Sequence, residues 1–266
     1  MYSPTFGHRL GALASRPGPQ DLLITSFPRT ASKRPKAFTE RAKHTPVKNQ
    51  GNAGTCEGFA GVATLEVKDV GEQTVGDCIN LSEMWAYTQA KKIDGYPTEE
   101  GTDSYSMCQV MLNTGFCEDQ LDPYSDAHPI VDRALPGAVE NAAKFKIQRH
   151  ASVTPAGLRD AIWQRGSLLL AIKVYSNFGD TGSNGLVPSP RGRIEGGHAL
   201  CLVGYEDGRC CNGWFEIKNS WGPSFGDKGY VHISYKDMAK IFMDARSIVD
   251  LTPATLTKLC AAPRGV

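Results

Sequence analysis

One cysteine in the sequence stands where a nucleophile for acyl chemistry would be placed. Cys56 follows the glycine-rich turn QGNAGT and opens a run with helical periodicity, so its thiol is predicted to lie at a helix N-terminus. Unpaired N–H groups and the positive end of the helix dipole favour a thiolate there. The alternative for any single cysteine is an inert buried thiol. The helix start makes Cys56 a candidate nucleophile.

A base for this thiol and a partner for the base follow later in the chain. His198 comes after a double glycine and opens an apolar strand, and Asn219 ends the next apolar strand. The amide oxygen of Asn219 can fix the imidazole tautomer, and Trp221 can shield that hydrogen bond. Taken alone, each residue has an ordinary alternative, a structural histidine and a turn asparagine. Taken with Cys56, they predict a Cys-His-Asn arrangement.

The composition narrows the class of protein. The 266 residues are 41% hydrophobic and 21% charged, with a net charge of +1, which argues against disorder and against a nucleic-acid partner. No run approaches the ~18 apolar residues of a membrane span, so no membrane partner is expected. The first twenty residues lack the apolar segment of a secretory signal. We expect a cytoplasmic protein, or one delivered by a non-classical route.

The elements that must position these side chains are predicted as helices first and strands later. Helices are expected from Cys56 onward, at 82–92 after the cap Ser82, at 103–113 and at 155–165. A strand at 168–175, a long loop at 175–197 and strands in HALCLVGYED, GWFEIKN and GYVHISY follow. This order predicts an α+β fold with an antiparallel sheet or small barrel.

Charge is concentrated at the start of the chain. Residues 1–44 carry a net charge of +6, and the remainder carries −5. This basic head can remain a solvated terminus, or its residues 1–40 can occupy the cleft of the body as a built-in inhibitor or pack on the body as a strap. The sequence leaves these three alternatives open.

The eight cysteines are scattered and contain no Cys-x-x-Cys pair, so neither a disulfide framework nor a redox motif is indicated. A zinc site built from His198, Cys201, Cys210 and Cys211 is the alternative. His198 and Cys201 are separated by an odd number of positions on an extended segment, so their side chains face opposite sides of the sheet. No metal site is therefore predicted.

Three blocks of the sequence resemble those of the papain-like cysteine proteases, in the same order: PVKNQGNAGTCEGFAGVATLE, GGHALCLVGYE and IKNSWGPSFGDKGYV. The resemblance implies a papain-like two-lobe fold of the α+β class, with the active-site cleft between the lobes. On this basis we expect a basic N-terminal extension at 1–44, a mainly helical left lobe at 45–147 and a β-rich right lobe at 148–266.

The resemblance also implies roles for individual residues. Cys56 is the nucleophile of a cysteine peptidase, His198 its base and then its acid, and Asn219 the residue that orients His198. Gln50 and the backbone N–H of Cys56 form the oxyanion hole. The substrate-binding residues implied are Gly101, Gly197 and Trp221.

The same resemblance implies a monomer that needs no cofactor and acts on a peptide or protein substrate. A proteinaceous inhibitor is a candidate partner. An acyl-transferring peptide ligase and a catalytically silent binding protein are the alternatives, and the filled catalytic positions disfavour the silent one.

The sequence also departs from the family pattern. Glu57 replaces the usual aromatic residue after the nucleophile, and Ala53 replaces a cysteine, so the family's common disulfide from that position cannot form. The 55 residues before Cys56 are too few for the typical long helical pro-segment. Such departures are more typical of prokaryotic or viral members.

Overall fold

A computed structural model describes residues 7–16, 21–26, 33–68, 79–96, 98–127, 130–208 and 212–251, with side chains described up to residue 248. The helices of the described chain are α1 (Cys56–Glu66), α2 (Glu83–Lys91), α3 (Ser104–Asn113), α4 (Ala138–Ala142), α5 (Leu158–Arg165) and α6 (Tyr235–Ile241). None of them combines the length and apolar character needed to span a bilayer.

Local capping explains where two of these helices begin. The Ser82 hydroxyl accepts a hydrogen bond from the Trp85 N–H at 2.9 Å, and the Asp103 carboxylate accepts one from the Ser106 N–H at 3.0 Å. Each cap satisfies a donor that the first helical turn leaves without an internal partner. The helices predicted at 82–92 and 103–113 are therefore confirmed to within two residues.

The described chain forms a seven-stranded antiparallel sheet, in which one strand precedes α1 and six follow α4. Its strands are β1 (Ala37–Thr39), β2 (Ile147–Ser152), β3 (Leu168–Tyr175), β4 (Ile194–Asp207), β5 (Gly213–Lys218), β6 (Tyr230–Ser234) and β7 (Phe242–Leu251). The order is β2-β7-β3-β4-β5-β6, and β1 pairs with β4. The α+β fold class is confirmed.

Two boundary predictions differ from the structure. The segment 155–165 begins as a 3-10 turn at Pro155–Gly157 before α5, because the proline-containing turn closes with a Gly157 N–H to Thr154 carbonyl bond of 2.9 Å. The loop predicted at 175–197 is shorter, because a 3-10 turn occupies Ser176–Asp180 and β4 already begins at Ile194. Pairing of Ile194 with Tyr175 extends the ladder beyond what the glycine-rich sequence indicates.

The sheet separates two apolar cores. Leu169, Ala171 and Ala199 face the core that contains α1, α2 and α3, while Leu170 and Leu200 face the core that contains α5 and α6. This alternation is the period-two pattern of a strand covered on both faces. It also holds the start of α1 against the start of β4, where Cys56 and His198 lie.

Part of the basic head packs on the sheet. In the strap, which we define as residues 33–44, Arg41 pairs with Glu216 at 3.1 Å and Asp227 at 2.5 Å. Arg34 pairs with Asp207 at 3.2 Å. Within the basic head, residues 33–44 are therefore the part that packs on the body as a strap. The predicted lobe boundaries at 44 and 147 stay predictions.

Candidate active site

Cys56 lies at the first residue of α1 and is completely buried. Its Sγ accepts a hydrogen bond from the Ala199 N–H at 3.4 Å and another from the Gly11 N–H. The turn before it is tied to the sheet, because the Gln50 N–H donates to the Ser220 carbonyl at 2.9 Å. The helix start and the sheet are thus joined directly at the thiol.

The hydrogen bonds around His198 define its tautomer. Its Nε2 lies 2.8 Å from Oδ1 of Asn219, and Oδ1 also accepts the Ser220 N–H at 2.8 Å. Because a backbone N–H can only donate, the Asn219 atom is an acceptor and Nε2 carries the imidazole proton. Nδ1 is buried without a hydrogen-bond partner in the described part of the chain. Trp221 stacks on the ring at 4.8 Å between centroids.

Gln50 is buried and its amide orientation is fixed from both ends. Oε1 accepts the Ser220 hydroxyl at 2.6 Å, and Nε2 donates to the Ala53 carbonyl at 2.8 Å. Nε2 also donates to the carbonyl oxygen of Arg9 at 3.1 Å. The donor that an oxyanion would need is therefore aimed at a peptide carbonyl.

Residues 8–13, which we call the cleft segment, pass through this site as an extended chain. The Gly11 N–H faces Sγ of Cys56, and the Ala12 N–H donates to the Gly197 carbonyl at 3.0 Å. On the other side of the cleft, the Thr102 carbonyl accepts the Leu13 N–H at 2.8 Å, and the Thr102 N–H donates to the Gly11 carbonyl at 2.9 Å. The backbone of the cleft segment is thus hydrogen-bonded on both sides.

The fit of the cleft segment depends on glycine at two close approaches. A Cβ at Gly11 would lie 2.0 Å from the Gly54 carbonyl oxygen, and one at Gly197 would lie 2.1 Å from the Ala12 carbonyl oxygen. Both separations are far below a van der Waals contact, and backbone oxygens cannot move away as a flexible side chain can. The cleft therefore has the width of a bare backbone at these points.

The cleft segment runs opposite to the direction expected of a substrate. If His198 protonates the leaving amine, as predicted from the sequence, the residues after the scissile bond would lie beside His198 and Trp221. His8, which precedes the carbonyl on Gln50, occupies that side and stacks on Trp221 at 5.0 Å. At the other end of the segment, Ala12 forms a parallel β-bridge with Thr102.

Burial shifts both reactive groups toward their neutral forms. Burial, reinforced by the neighbouring Glu57 carboxyl, raises the pKa of Cys56 to about 12. Burial also lowers the pKa of His198 to about 4, although the hydrogen bond to Asn219 opposes the shift. The helix start favours a thiolate, but desolvation outweighs it while the cleft segment covers the site. The described form therefore holds a neutral thiol and a neutral imidazole.

The structure brings the seven candidate catalytic and substrate-binding residues to one place. The four candidate catalytic residues meet as described above. The three candidate substrate-binding residues each lie against the cleft segment: Gly101 beside the Gly11 carbonyl, Gly197 at the Ala12 N–H and Trp221 at the His8 ring. Cys201 lies elsewhere, accepting the Thr64 hydroxyl at 3.4 Å, and Cys210 and Cys211 fall outside the described residues. Within the described chain, no group of three or more His, Cys, Asp or Glu side chains could hold a metal ion.

Sequence reasoning missed three participants. Ser220 orients Gln50, and its place in the KNSWG block was the available signal. Arg9 and Gly11 gave no signal beyond the charge of the head, because their contacts depend on residues far along the chain. Glu57 is buried and accepts the Ser104 hydroxyl at 2.9 Å, so a tertiary contact accommodates it.

Comparisons with known proteins identify the family of the chain. The model of the papain family cysteine proteases matches residues 34–249, a region that begins after the cleft segment. The cysteine protease Amb a 11.0101 of Ambrosia artemisiifolia is 26% identical over 213 residues, which are 74% of this chain and 49% of that protein. Chymopapain of Carica papaya is 28% identical over 79% of this chain and 56% of its own length. The chain thus spans about half the length of these relatives.

Solved structures show the same fold. Xylellain, a cysteine protease from Xylella fastidiosa, superposes with a TM-score of 0.80 at 20% identity, covering 95% of this chain and all of that one. The digestive procathepsin L 3 of Tenebrio molitor larval midgut superposes with a TM-score of 0.69 at 20% identity, over 92% of this chain and 77% of that one.

Proposed function

The chain belongs to the papain family of cysteine proteases, and from this premise we propose that it is a cysteine peptidase that cleaves peptide bonds through a thioester acyl-enzyme. The observation that carries the proposal is the peptide backbone held in the cleft. Gln50 Nε2 donates a hydrogen bond to the Arg9 carbonyl of this backbone, and Cys56 Sγ accepts one from the Gly11 N–H. A site that holds an extended peptide against a thiol is suited to peptide cleavage.

The proposed reaction begins when His198 Nδ1 takes the thiol proton and Sγ attacks the substrate carbonyl carbon. The electron pair of the carbonyl moves to its oxygen, where Gln50 Nε2 and the Cys56 N–H stabilise the negative charge. Collapse of this intermediate breaks the C–N bond, and the imidazolium returns the proton to the leaving amine. Water, deprotonated by His198, then hydrolyses the thioester and restores the thiol.

We further propose that the cleft segment is an intramolecular inhibitor of this reaction. It places an N–H of Gly11 against Sγ, where a substrate would place an electrophilic carbonyl carbon. Because the segment runs in the reversed direction, no peptide nitrogen is placed beside His198 as a leaving amine. It fills the site with a backbone that is not a substrate.

The direct test uses the full chain with Gly11→Ala, which should displace the cleft segment. This variant is compared with the double variant Gly11→Ala/Cys56→Ala, which lacks the thiol. An unfolded protein substrate is incubated with each, with and without an added amine, and the products are identified by mass spectrometry. Hydrolysis by Gly11→Ala that falls below ~1% in Gly11→Ala/Cys56→Ala supports the proposal. Cleavage that persists without the sulfur contradicts it, and products that carry the amine would indicate acyl transfer instead.

A further inference from the structure

The two proposed oxyanion donors lie at opposite ends of one turn. Gln50 supplies its side-chain amide and Cys56 its backbone N–H, and residues 51–55 connect them. Both donors must lie about 2.7–3.1 Å from the same oxygen atom, so the distance between them matters as much as the orientation of either one. The hydrogen bond from Ser220 orients the Gln50 amide. It does not by itself fix the distance from that amide to Cys56.

Tyr124 joins the two ends of this turn through a single oxygen atom. Its hydroxyl donates to the Gln50 carbonyl at 2.7 Å and lies 2.7 Å from the Thr55 hydroxyl oxygen. Because a carbonyl can only accept, the phenol proton is used there, and Thr55 must donate to Tyr124. The Tyr124 ring packs edge-on against Phe59 of α1, with 4.7 Å between ring centroids. A chain of two hydrogen bonds therefore links the residue before the nucleophile to the residue that carries the amide donor.

The Thr55 hydroxyl bonds Tyr124 and does not cap the helix. Thr55 is the N-cap residue of α1, a position at which threonine ordinarily accepts a hydrogen bond from an N–H of the first turn. Here its side chain makes no capping bond. The Glu57 N–H of that turn donates to the Cys56 thiol. The bond to Tyr124 thus gives a buried hydroxyl a partner that local helix capping does not provide.

The segment that carries Tyr124 is itself fastened on both sides. Before it, the Asp122 carbonyl accepts the hydroxyl of Ser82, the cap of α2, at 2.5 Å. After it, the Asp126 carboxylate accepts the Asn52 N–H in the middle of the turn at 3.2 Å. The phenol is therefore held by a segment that is anchored to the helical part of the fold.

We propose that Tyr124 is a positioning residue that sets the distance between the two oxyanion donors. The proposal rests on the proposed peptidase function, and it adds a residue that acts through Gln50 and Cys56 without touching the substrate. Without the phenol hydroxyl, the Gln50 carbonyl and the Thr55 hydroxyl lose their common partner, and the turn is free to change its width. A misplacement of about 1 Å can lower a rate about 100-fold, so a partial loss of this constraint is measurable.

The experiment introduces Tyr124→Phe into the full chain with Gly11→Ala, so that the phenyl ring stays and only the hydroxyl is lost. We expect kcat on peptide substrates to fall about 5- to 20-fold, with KM changed less than about twofold. Alkylation of Cys56 by iodoacetamide forms no oxyanion, so its rate should change less than about twofold. A variant that merely disturbed the thiol or the fold would slow both reactions.

A double-mutant cycle follows the effect to its target. When Gln50→Ala has removed the amide, Tyr124→Phe should lower kcat less than about twofold, because no amide remains to be positioned. Tyr205→Phe is the matched control, since it removes a phenol hydroxyl that donates to the Pro35 carbonyl of the strap at 3.0 Å. It should leave kcat and the alkylation rate unchanged.

The other end of the hydrogen-bond chain provides an independent variant if Tyr124→Phe does not fold. Thr55→Val removes the second bond and keeps the shape of the side chain, and it should lower kcat about 3- to 10-fold. Thr55→Ser keeps the hydroxyl and should restore kcat. Melting temperatures report which variants are folded.

The outcomes distinguish this proposal from the function on which it rests. Peptide cleavage with an unchanged kcat in Tyr124→Phe or Thr55→Val, a loss confined to KM, or an equal loss with and without the Gln50 amide overturns the role of Tyr124 and leaves the peptidase intact. A folded protein whose Cys56 is alkylated but which cleaves no peptide in any variant overturns both.

Discussion

The carbonyl oxygen of Arg9 lies 3.1 Å from Nε2 of Gln50. The donor proposed for the transition state is therefore already bound to a carbonyl of the same chain. Because Gln50 is also fixed by Ser220 and Ala53, its amide is oriented before any substrate enters. Preorganisation of this kind is what makes an oxyanion hole effective.

Gly11→Ala should activate the enzyme. The new Cβ would lie 2.0 Å from the Gly54 carbonyl oxygen, so the cleft segment must leave its position. We expect kcat/KM on peptide substrates to rise at least about tenfold, since the segment otherwise competes with substrate for the site. Gly182→Ala is the matched control, because a Cβ there meets ordinary contacts. Equal rates for Gly11→Ala and the unaltered chain would contradict inhibition.

Arg41→Ala should separate the strap from the inhibitor. Arg41 pairs with Glu216 and Asp227, and its guanidinium lies 4.1 Å from the centre of the Tyr230 ring. The loss of these partly exposed contacts should lower Tm by about 2–5 °C. Activity per folded molecule should not change, because the partners of Arg41 given above include neither Cys56 nor the cleft segment. Differential scanning calorimetry with a parallel rate assay checks both, and activation by Arg41→Ala would show that strap and cleft segment are coupled.

Gln50→Ala and Ser220→Ala should differ in degree. Removal of the Gln50 amide should lower kcat about 10²- to 10³-fold with little change in ground-state binding. Ser220→Ala leaves that amide in place but removes the 2.6 Å hydrogen bond that orients it, so a loss of about 3- to 10-fold is expected. Both are measured in the Gly11→Ala background. An effect confined to KM would argue against the oxyanion role.

Asn219→Ala should change the pH profile of the open enzyme. Its active form is expected to pair a Cys56 thiolate with a His198 imidazolium, which gives a bell-shaped profile. The hydrogen bond to Asn219 raises the pKa of His198, so its loss should move the alkaline limb to lower pH. Rates of alkylation and of peptide cleavage, measured between pH 4 and 10, report this limb. An alkaline limb that stays in place would remove Asn219 from its proposed role.

Glu57→Gln should stabilise the protein above neutral pH. Burial, together with Asp103 and Asp244, raises the pKa of Glu57 well above its ordinary value, although the hydrogen bond from Ser104 and the charge of Arg246 oppose the shift. The unfolded carboxyl ionises above about pH 4.5, whereas the folded one holds its proton to a higher pH, so folding loses stability as the pH rises between the two pKa values. Glutamine keeps a neutral partner for Ser104 and avoids this loss. Tm should be higher for Glu57→Gln at pH 8 and nearly equal at pH 4; the reverse order would contradict a protonated Glu57.

The parts of the site that the sequence predicts are those governed by local signals. Cys56 follows a glycine-rich turn at a helix start, His198 begins the buried part of β4, and Asn219 directly follows β5. Strand β7 was not predicted, because its Asp244 and Arg246 interrupt the apolar pattern of a central strand. Arg246 is buried through its ion pairs with Asp244 and Asp21, which come from tertiary structure.

The path of the basic head could not be predicted for a related reason. Composition alone gives its charge, while its position depends on individual long-range pairs such as Arg9 with Glu100 and Arg41 with Asp227. The inhibitor and strap alternatives treated residues 1–40 as one unit. The strap is residues 33–44, and the part that occupies the cleft is residues 8–13.

Between the cleft segment and the strap, residues 21 and 22 are bound to the body of the protein. The Ser152 N–H donates to the Leu22 carbonyl at 2.7 Å, and Asp21 pairs with the buried Arg246. The cleft segment is therefore a ligand on a short tether, whose effective concentration at the site is on the order of millimolar. Contacts too weak to retain a free peptide suffice under this condition. One cut of the chain between residues 13 and 21 would turn the segment into a dissociable peptide, and dilution alone would then empty the cleft.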